Sequence, residues 1–262
     1  MNSGHSVNGP PLIELHDVDL SIRDNLIVQG LDLSIAAGEF VCAIGPSGCG
    51  KTTMLRLIAG LMAPTRGQVL YQGETVQGPR QDVAVVFQDY GKALLPWATA
   101  AGNIELVLRT FRVPRAEWRE RVDRLLAQVG LQGRNDHYPG QLSGGQQQRL
   151  QIARCLAQEP RVLLMDEPFG ALDAMTRHAL QDEMQAIVAA AGTTVFFVTH
   201  DLEEAAYLGD RVIGLLPRPG RVGTTIEVGL ERPRDQLTTR ERPRFLELRH
   251  LLFNFIRDAE SA

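Results

Sequence analysis

The chain has 262 residues, of which 44% are apolar and 22% charged, which is enough to bury one large α/β core or two tightly joined subdomains. Its net charge of −4 argues against nucleic acid as a partner, because that binding depends on dense Lys and Arg. Its uninterrupted apolar runs, such as Val162–Met165 and Val195–Val198, are far shorter than the roughly 20 residues of a membrane-spanning helix, so the chain is not expected to cross a bilayer by itself.

The first eleven residues, Met1–Pro11, are polar and lack the basic start and apolar centre of a secretory signal. They are predicted to form a disordered tail on a cytoplasmic protein. The three cysteines, Cys42, Cys49 and Cys155, are an odd number without CxxC spacing. The sequence therefore predicts neither a disulfide framework nor a zinc site.

The first part of the chain is predicted to alternate strands and turns. The predicted strands are Ile13–Ile22, Leu31–Ile35 and Phe40–Ile44. A turn is expected near Asp24-Asn25 and a bend at Gly38. A glycine-rich turn then opens a helix, and Gly60 stands where its C-terminal cap is expected. The buried stripe predicted for this helix is Leu55, Ile58 and Ala59.

Beyond a predicted strand at Val83–Phe87, residues from about 90 to 157 are predicted to be helical and to form an inserted subdomain. Within it, Pro114 opens a segment that ends at Gly130 and whose apolar residues recur at helical spacing. These residues are Trp118, Val122, Leu125, Leu126 and Val129. One amphipathic helix is therefore predicted there.

The chain then alternates again, with strands predicted at Val162–Met165 and Thr194–Thr199 and helices from about Ala174 to Ala190 and after Asp201. Short apolar strands separated by helices predict a parallel sheet covered on both faces. The main domain is assigned to residues 12–217. Residues 218–262, rich in Arg and Pro, are predicted to be an extension ending in an amphipathic helix. The apolar residues of that helix are Phe245, Leu248, Leu252, Phe255 and Ile256.

A phosphate-binding pattern, G-x-x-x-x-G-K-[ST], lies between a predicted strand and a predicted helix. Its glycines allow backbone N–H groups to approach a phosphate, and the helix N-terminus adds partial positive charge. Lys51 is expected to bridge the β- and γ-phosphates of ATP, and Thr52 to bind Mg²⁺. Cys49 is interpreted as a small filler, with the further hypothesis that the helix N-terminus lowers its thiol pKa. The predicted ATP-binding residues are Gly45, Pro46, Ser47, Gly48, Cys49, Gly50, Lys51, Thr52 and Thr53.

Two carboxylates follow the apolar strand at Val162–Met165. Asp166 is predicted to hold Mg²⁺, and Glu167 to orient and polarise the water that attacks the γ-phosphate. The alternative is that the pair merely caps a helix that follows the strand.

Residues 142–149 read Leu-Ser-Gly-Gly-Gln-Gln-Gln-Arg, in which a serine and two glycines before a helix form a second anion-binding N-terminus. With this segment the chain resembles the ABC transporter ATPases. The resemblance implies an α/β P-loop NTPase (RecA-like) core with a parallel sheet, N-terminal antiparallel strands and an inserted helical subdomain. It also implies a head-to-tail dimer in which the signature of one copy closes over ATP held by the other. The signature residues acting in trans would be Ser143, Gly144, Gly145 and Gln146.

Three further positions match the family. The resemblance implies that Gln88 binds Mg²⁺ and links it and the attacking water to the transmembrane partner. It also implies that Asp173 crosses the dimer interface and that His200 contacts the γ-phosphate. A single Gln or His is uninformative, but the five motifs occur in the family's order. The family's usual adenine-stacking aromatic corresponds to Ile22, so apolar packing against the base is expected instead.

The segment Leu95-Pro96-Trp97, together with Asn103, resembles importers of nitrate, aliphatic sulfonates and taurine. This implies transmembrane permease partners, an extracytoplasmic solute-binding protein acting indirectly, and a peripheral location on the cytoplasmic face of the inner membrane. Another cargo such as a pyrimidine precursor, an exporter subunit, and a soluble ABC ATPase of DNA repair, ribosome function or cluster assembly remain alternatives.

Two features of the C-terminal extension have more than one interpretation. The Arg232–Arg244 cluster is interpreted as a solvated, internally paired face, with contact to anionic lipid as the alternative. The terminal helix is expected to pack on its own domain or on a second copy rather than in a membrane.

Overall fold

The computed structural model describes residues 11–261 of the chain. Its strands are β1 (Pro11–Ile22), β2 (Asn25–Ala36), β3 (Phe40–Ile44), β4 (Arg66–Tyr71), β5 (Glu74–Thr75), β6 (Val83–Val86), β7 (Val162–Asp166), β8 (Thr194–Val198), β9 (Arg211–Leu216) and β10 (Arg221–Glu227). Its helices are α1 (Lys51–Ile58), α2 (Tyr90–Ala93), α3 (Ala100–Thr110), α4 (Trp118–Gln128), α5 (Gly144–Leu156), α6 (Ala174–Ala191), α7 (Leu202–Leu208) and α8 (Pro243–Glu260). The predicted disordered tail lies outside the described residues except for Pro11, which begins β1.

The chain divides into two compact units. The first contains the residues up to Arg80 together with those from Gly192 onward, and the second is Gln81–Ala191. The predicted helical segment from about 90 to 157 lies within the second unit and contains α2 to α5, with no strand described in it. The predicted extension from residue 218 belongs to the first unit.

The first unit begins with an antiparallel sheet in the order β2-β1-β4-β5. β1 and β2 form a hairpin whose register continues to the pair Ile22 and Asn25. The predicted start of the second strand at Leu31 was therefore wrong by six residues. Among residues 25–30 only Val28 is buried, so their sequence does not alternate between polar and apolar residues, and it is pairing with β1 that makes them a strand.

β3 is a central strand of the first unit's parallel arrangement, where it pairs with both β8 and β9. All five residues of β3 and of β8 are buried, which explains their continuous apolar sequences. The predicted bounds Phe40–Ile44 are confirmed. β10 adds an antiparallel edge beside β9, so the predicted boundary at residue 218 falls in the turn between two paired strands.

Helix α1 ends as its sequence predicts. Gly60 follows the last turn with φ +68°, and its N–H donates to the Leu57 carbonyl at 3.1 Å. The Leu61 N–H donates to the Arg56 carbonyl at 2.9 Å, which completes a Schellman motif. The predicted buried stripe is confirmed, because Leu55, Ile58 and Ala59 are all buried.

In the second unit, β6 and β7 pair in parallel. Four of the five apolar residues predicted for one face of α4 and its C-terminus are buried, namely Val122, Leu125, Leu126 and Val129. Trp118 is half-buried, and its indole N–H donates to the Val113 carbonyl at 2.9 Å. The buried face of α6 includes two polar residues, Gln181 and Gln185, that periodicity had not suggested.

The terminal helix α8 packs on its own unit. Phe245, Leu248 and Leu252 are buried. The Phe255 ring lies so close to Gly214 of β9 that a Cβ there would overlap it, and a Cβ at Gly223 of β10 would lie 3.1 Å from the same ring. Between residues 11 and 261 there is no helix with the length and apolar character required to cross a membrane.

Arg234 corrects the interpretation of the arginine cluster as a solvated face. Its side chain is 1% exposed, and it donates to the carbonyls of Tyr207 at 2.7 Å, Gly209 at 2.8 Å and Leu230 at 3.1 Å. Burial, helped by the neighbouring Arg232 charge, lowers the pKa of Arg234 to about 10. Charge-assisted hydrogen bonds from Arg234 thus link the C-terminal extension to the C-terminal end of α7.

Candidate functional site

The phosphate-binding loop joins β3 to α1 through two glycines in left-handed conformations, Gly48 with φ +77° and Gly50 with φ +93°. Other residues are strained at such angles. A Cβ at Gly50 would also lie 2.5 Å from Cγ1 of Val28 on β2. The glycines of the motif are therefore required by backbone geometry and packing even before a ligand is considered.

The N-terminus of α1 is open to an anion. Its N-cap is Gly50, which has no side chain to form a capping hydrogen bond. The Lys51 ammonium folds back over the loop and donates to the Gly45 carbonyl at 2.7 Å and the Pro46 carbonyl at 3.0 Å. The loop thus holds a positive charge beside an uncapped helix start, which suits a phosphate group.

Cys49 fills the inside of this loop. Its side chain is buried, and a Cβ at Gly45 would lie 2.6 Å from the Cys49 sulfur, which confirms the interpretation as a filler. Burial raises the pKa of the Cys49 thiol, and the nearby Lys51 ammonium offsets only part of that increase. The hypothesis of a lowered thiol pKa is therefore wrong, because desolvation outweighs the helix N-terminus.

The turn between β9 and β10 supports the back of the loop. Gly220 donates its N–H to the Ile27 carbonyl and accepts from the Gln29 N–H, both at 2.8 Å. A Cβ at Gly220 would overlap the Cys49 carbonyl oxygen and lie 3.0 Å from Val28. Sequence reasoning missed this role, because the partners of Gly220 on β2 and in the loop are distant in the sequence.

His200 lies beyond the end of β8, in the same unit as the phosphate-binding loop. β8 pairs in parallel with β3, and the Thr199 N–H donates to the Ala43 carbonyl at 3.2 Å. The carboxyl ends of parallel strands meet at one edge of a sheet, which is where ligands bind in such folds. His200 and the loop that follows Ile44 therefore occupy the same sheet edge.

In the second unit, the structure brings together Gln88 and Glu167. The Gln88 amide nitrogen donates to Oε2 of Glu167 at 2.9 Å. Glu167 has φ +48°, an uncommon conformation outside glycine that clusters at functional sites. Asp166 directly precedes it as the last residue of β7 and is 5% exposed.

The signature segment forms a helix start that is already capped. Ser143 is the N-cap of α5, and its hydroxyl accepts from the Gln146 N–H at 3.3 Å while its own N–H donates to the Gln146 side chain at 3.0 Å. A Cβ at Gly145 would lie 2.9 Å from Cδ2 of Leu172. Packing alone therefore favours glycine at position 145, since the missing side chain allows α5 to approach the segment that leads to Asp173.

Asp173 caps α6, because its carboxylate accepts from the Thr176 N–H at 3.1 Å. This hydrogen bond lowers the pKa of Asp173. Gln148, which sequence reasoning missed, is buried and links α5 to the same segment. Its amide donates to the Glu167 carbonyl at 3.4 Å and accepts from the Ala171 N–H at 3.3 Å.

A signal for Gln148 was present in the sequence. Gln148, Gln151 and Cys155 recur at helical spacing on the buried side of α5, so two glutamines occupy positions where apolar residues are the rule. Buried amides usually have hydrogen-bond partners, which predicts contacts to neighbouring backbone. Gln148 makes such contacts, whereas the buried Gln151 amide has no partner among the described residues.

The predicted site residues fall in both units. The first unit holds the phosphate-binding loop, His200 and the adenine position Ile22, which is 47% exposed, and the second holds the remaining predicted site residues.

The predicted site residues include candidate ligands for a metal ion. No cluster of three or more His, Cys, Asp or Glu suited to a metal occurs within residues 11–261. The predicted Mg²⁺ ligands, Thr52, Gln88 and Asp166, offer hydroxyl, amide and carboxylate oxygens, the hard donors that suit this ion.

Comparisons with known proteins agree with these features. A family model described as ABC transporter matches residues 28–170. The chain is 43% identical to the nitrate import ATP-binding protein NrtD of Synechococcus elongatus, over 87% of this chain and 84% of that protein. It is 49% identical to the taurine import ATP-binding protein TauB of Chromobacterium violaceum, over 76% of each.

A solved structure is also similar, a dimeric post-hydrolysis state of an ATP-binding cassette bound to ADP and Pi. Its TM-score is 0.74 at 34% sequence identity, and the match covers 82% of this chain and 98% of that one.

Proposed function

Since the chain belongs to the ABC transporter family and is an ATP-binding subunit with ATPase activity, we propose that it energises an importer of nitrate, an aliphatic sulfonate or taurine. Support for this cargo class comes from the nitrate and taurine import proteins that it resembles. Another small molecule, such as a pyrimidine precursor, is the alternative cargo.

The importer-like segment has a defined local structure. Buried Asn103 accepts from the Leu95 N–H at 2.9 Å and donates to the carbonyls of Leu95 and Ala98 at 3.2 and 3.1 Å. This amide closes the loop around Trp97, whose side chain is 74% exposed. An exposed aromatic on a fixed loop suits a protein partner, so this loop is proposed to dock on the transmembrane permease.

The observation that best supports the catalytic assignment is the hydrogen bond between Gln88 and Glu167 beside Asp166. Glu167 is proposed to accept a proton from the water that attacks the γ-phosphate, and Gln88 to fix the orientation of that carboxylate. Lys51 and the N–H groups at the start of α1 would bind the β- and γ-phosphates, and His200 would contact the γ-phosphate.

Mg²⁺, when bound, neutralises charge that develops on the phosphate oxygens. Thr52, Gln88 and Asp166 are the residues proposed to hold it. The Asp166 carboxylate is suited to this role, because carboxylate oxygens are hard donors that Mg²⁺ prefers and Asp166 is the last residue of β7.

The working form is proposed to be a head-to-tail dimer. The N-terminus of α5, from Ser143 to Gln146, would then meet ATP held by the phosphate-binding loop of the second copy, with Asp173 at the interface. The dimeric cassette that the chain resembles supports this assembly. The subunit is proposed to act at the cytoplasmic face of the inner membrane, joined to permease subunits and working with an extracytoplasmic solute-binding protein.

The catalytic assignment is tested by Glu167→Gln. Turnover is expected to fall by roughly 10²–10⁴-fold, because the amide cannot accept the proton, while ATP-bound dimers accumulate and are detected by gel filtration. Glu120→Gln is the matched control, since Glu120 is an exposed carboxylate of α4. Wild-type turnover in Glu167→Gln would contradict the assignment.

The transport assignment is tested by purifying the tagged chain from gently solubilised native membranes and identifying its partners by mass spectrometry. A multi-span permease is expected, and its solute-binding protein would then be tested for binding of taurine, methanesulfonate, nitrate and pyrimidine precursors. Recovery only from the soluble fraction, with ribosomal, DNA-repair or cluster-assembly proteins, would contradict the proposal.

A further inference from the structure

The residues on either side of His200 are held by a buried polar network. The Thr199 hydroxyl donates to Oε2 of Glu204 at 2.7 Å and accepts from the Asp201 N–H at 3.0 Å. Thr199 is 2% exposed and Glu204 is 6% exposed. Both distances are typical of well-formed hydrogen bonds.

The network fixes the peptide groups before and after His200. The Thr199 N–H is bonded to the Ala43 carbonyl of β3, the strand that leads into the phosphate-binding loop. Asp201 is the N-cap of α7 and accepts from the N–H groups of Glu203 and Glu204 at 2.9 and 3.1 Å. His200 is therefore the exposed residue between an anchored strand end and a capped helix start.

The burial of Glu204 is costly unless its charge is compensated. The carboxylate lies in the first turn of α7, where the helix N-terminus favours negative charge, and it accepts from Thr199. An apolar residue of similar size would fill the same space without that cost. Packing alone does not account for a carboxylate at this position, whereas orientation of the loop does.

We propose that Thr199 and Glu204 are positioning residues for His200 during ATP hydrolysis, which rests on the proposed contact between His200 and the γ-phosphate. The hydroxyl of Thr199 joins the strand, the loop and the helix at one atom. It thereby restricts the backbone that carries the imidazole. A reacting group that shifts by about 1 Å can cost a hundredfold in rate, so a loop residue needs such support.

The test compares Thr199→Val, which keeps the shape but removes the hydroxyl, with Thr199→Ser, which retains it. Thr199→Val is expected to lower kcat about tenfold or more with KM for ATP within about twofold, and Thr199→Ser to restore most of kcat. Glu203→Gln is the matched control on the same helix, because the Glu203 carboxylate bonds to Arg240 at 2.6 Å rather than to Thr199. Its kcat is expected to match the wild type.

The decisive measurement is a double-mutant cycle with His200→Ala, read by single-turnover release of radiolabelled phosphate. If Thr199 acts through His200, Thr199→Val causes no further loss in the His200→Ala background. An equal loss in both backgrounds, or wild-type kcat in Thr199→Val alongside an impaired His200→Ala, would overturn this inference alone. Wild-type kcat in His200→Ala would overturn the proposed role of His200 and this inference with it.

A second measurement tests the proposal if Thr199→Val fails to fold or if the turnover of His200→Ala is too slow to measure. The chain has six histidines, so the imidazole signal of His200 in ¹³C-labelled protein can be assigned by its loss in His200→Ala. That signal is expected to shift or broaden in Glu204→Gln and to stay unchanged in Glu203→Gln. An unchanged signal in Glu204→Gln would overturn the proposal.

Discussion

Two helix N-termini, those of α1 and α5, carry the two anion-binding motifs of the chain, yet they are built in opposite ways. α1 starts at a glycine in a left-handed conformation, without a side-chain cap, beside the folded-back Lys51 ammonium. α5 starts at Ser143, whose side chain and N–H are both bonded to Gln146. The N-terminus of α1 offers its N–H groups to a phosphate, whereas at α5 the Gln146 N–H is already bonded to the Ser143 hydroxyl.

The two helix starts also differ in what lies behind them. α1 follows the fully buried strand β3 and rests on Gly220 and Val28, which are fixed by backbone hydrogen bonds. α5 is joined through Gly145 and Gln148 to the loop that carries Glu167. Under the proposed function, α1 supplies affinity for ATP, and α5 contacts the loop that carries the proposed catalytic carboxylate, Glu167.

Removing the charge at α1 is the largest expected effect. Lys51→Ala should weaken ATP binding about a hundredfold, because it deletes charge-assisted hydrogen bonds to phosphate oxygens. Isothermal titration with MgATP measures the change. Arg119→Ala is the matched control, since it removes one positive charge from an exposed position on α4. Retention of wild-type affinity by Lys51→Ala would break the comparison, since α1 would no longer be the site of nucleotide affinity.

Gly220→Ala tests the support behind α1. The added Cβ would overlap the Cys49 carbonyl, and overpacking of this kind costs about 1–3 kcal/mol, so ATP affinity is expected to fall roughly tenfold. Gly78→Ala is the control in the same unit, because a Cβ there meets no atom within 4 Å. Equal affinities for the two variants would show that the turn before β10 does not shape the loop.

Sequence reasoning predicted a strand correctly where the residues of the strand themselves cause it to form, and missed a strand that depends on pairing with a neighbour. The strand Phe40–Ile44 was predicted with its bounds, because five buried apolar residues stand between a bend and a glycine loop. β10 alternates exposed and half-buried residues and was missed, since its pairing with β9 is what makes it a strand.

The same limit applied to side chains in the sites. Lys51 and Glu167 were identified from motif order, whereas the contacts of Gln148 and Arg234 depend on carbonyls more than 15 residues away in the sequence. A charged or amide side chain on the buried face of an element predicts that a hydrogen-bond partner exists, but only the tertiary fold shows which group that partner is. Motifs in the sequence therefore predict the chemistry of the site, whereas the residues that support it are found only in the structure.

Ser143→Ala sharpens the comparison from the side of α5. Loss of the cap should lower the free energy of unfolding by about 1 kcal/mol, and the ATP affinity of the single chain should stay unchanged. Turnover should fall, because the proposed dimer loses a phosphate contact. Ser143→Thr keeps the hydroxyl and is the control in urea unfolding and in ATPase assays. A loss of ATP affinity in isolated Ser143→Ala chains would contradict the division of roles.

The smallest expected effect concerns Cys49, which lies at the open helix start of α1. A positive helix N-terminus alone would lower the pKa of this thiol and make it reactive near pH 7. Burial raises its pKa instead, so the thiol keeps its proton to higher pH, and alkylation by iodoacetamide should stay slow until the pH passes above the usual range of a cysteine. Intact-mass spectrometry from pH 7 to 10, with Cys49→Ala identifying the site, measures the rate.

Fast labelling of Cys49 at pH 7 would mean that the positive potential of α1 extends into the interior of the loop and outweighs desolvation. Slow labelling that accelerates only at high pH is the expected result. It would confine that potential to the outer side of the loop, where the N–H groups and Lys51 are placed to meet phosphate. Cys42 and Cys155 are also buried with raised pKa values, to about 12 for Cys155, so their labelling should not obscure the measurement.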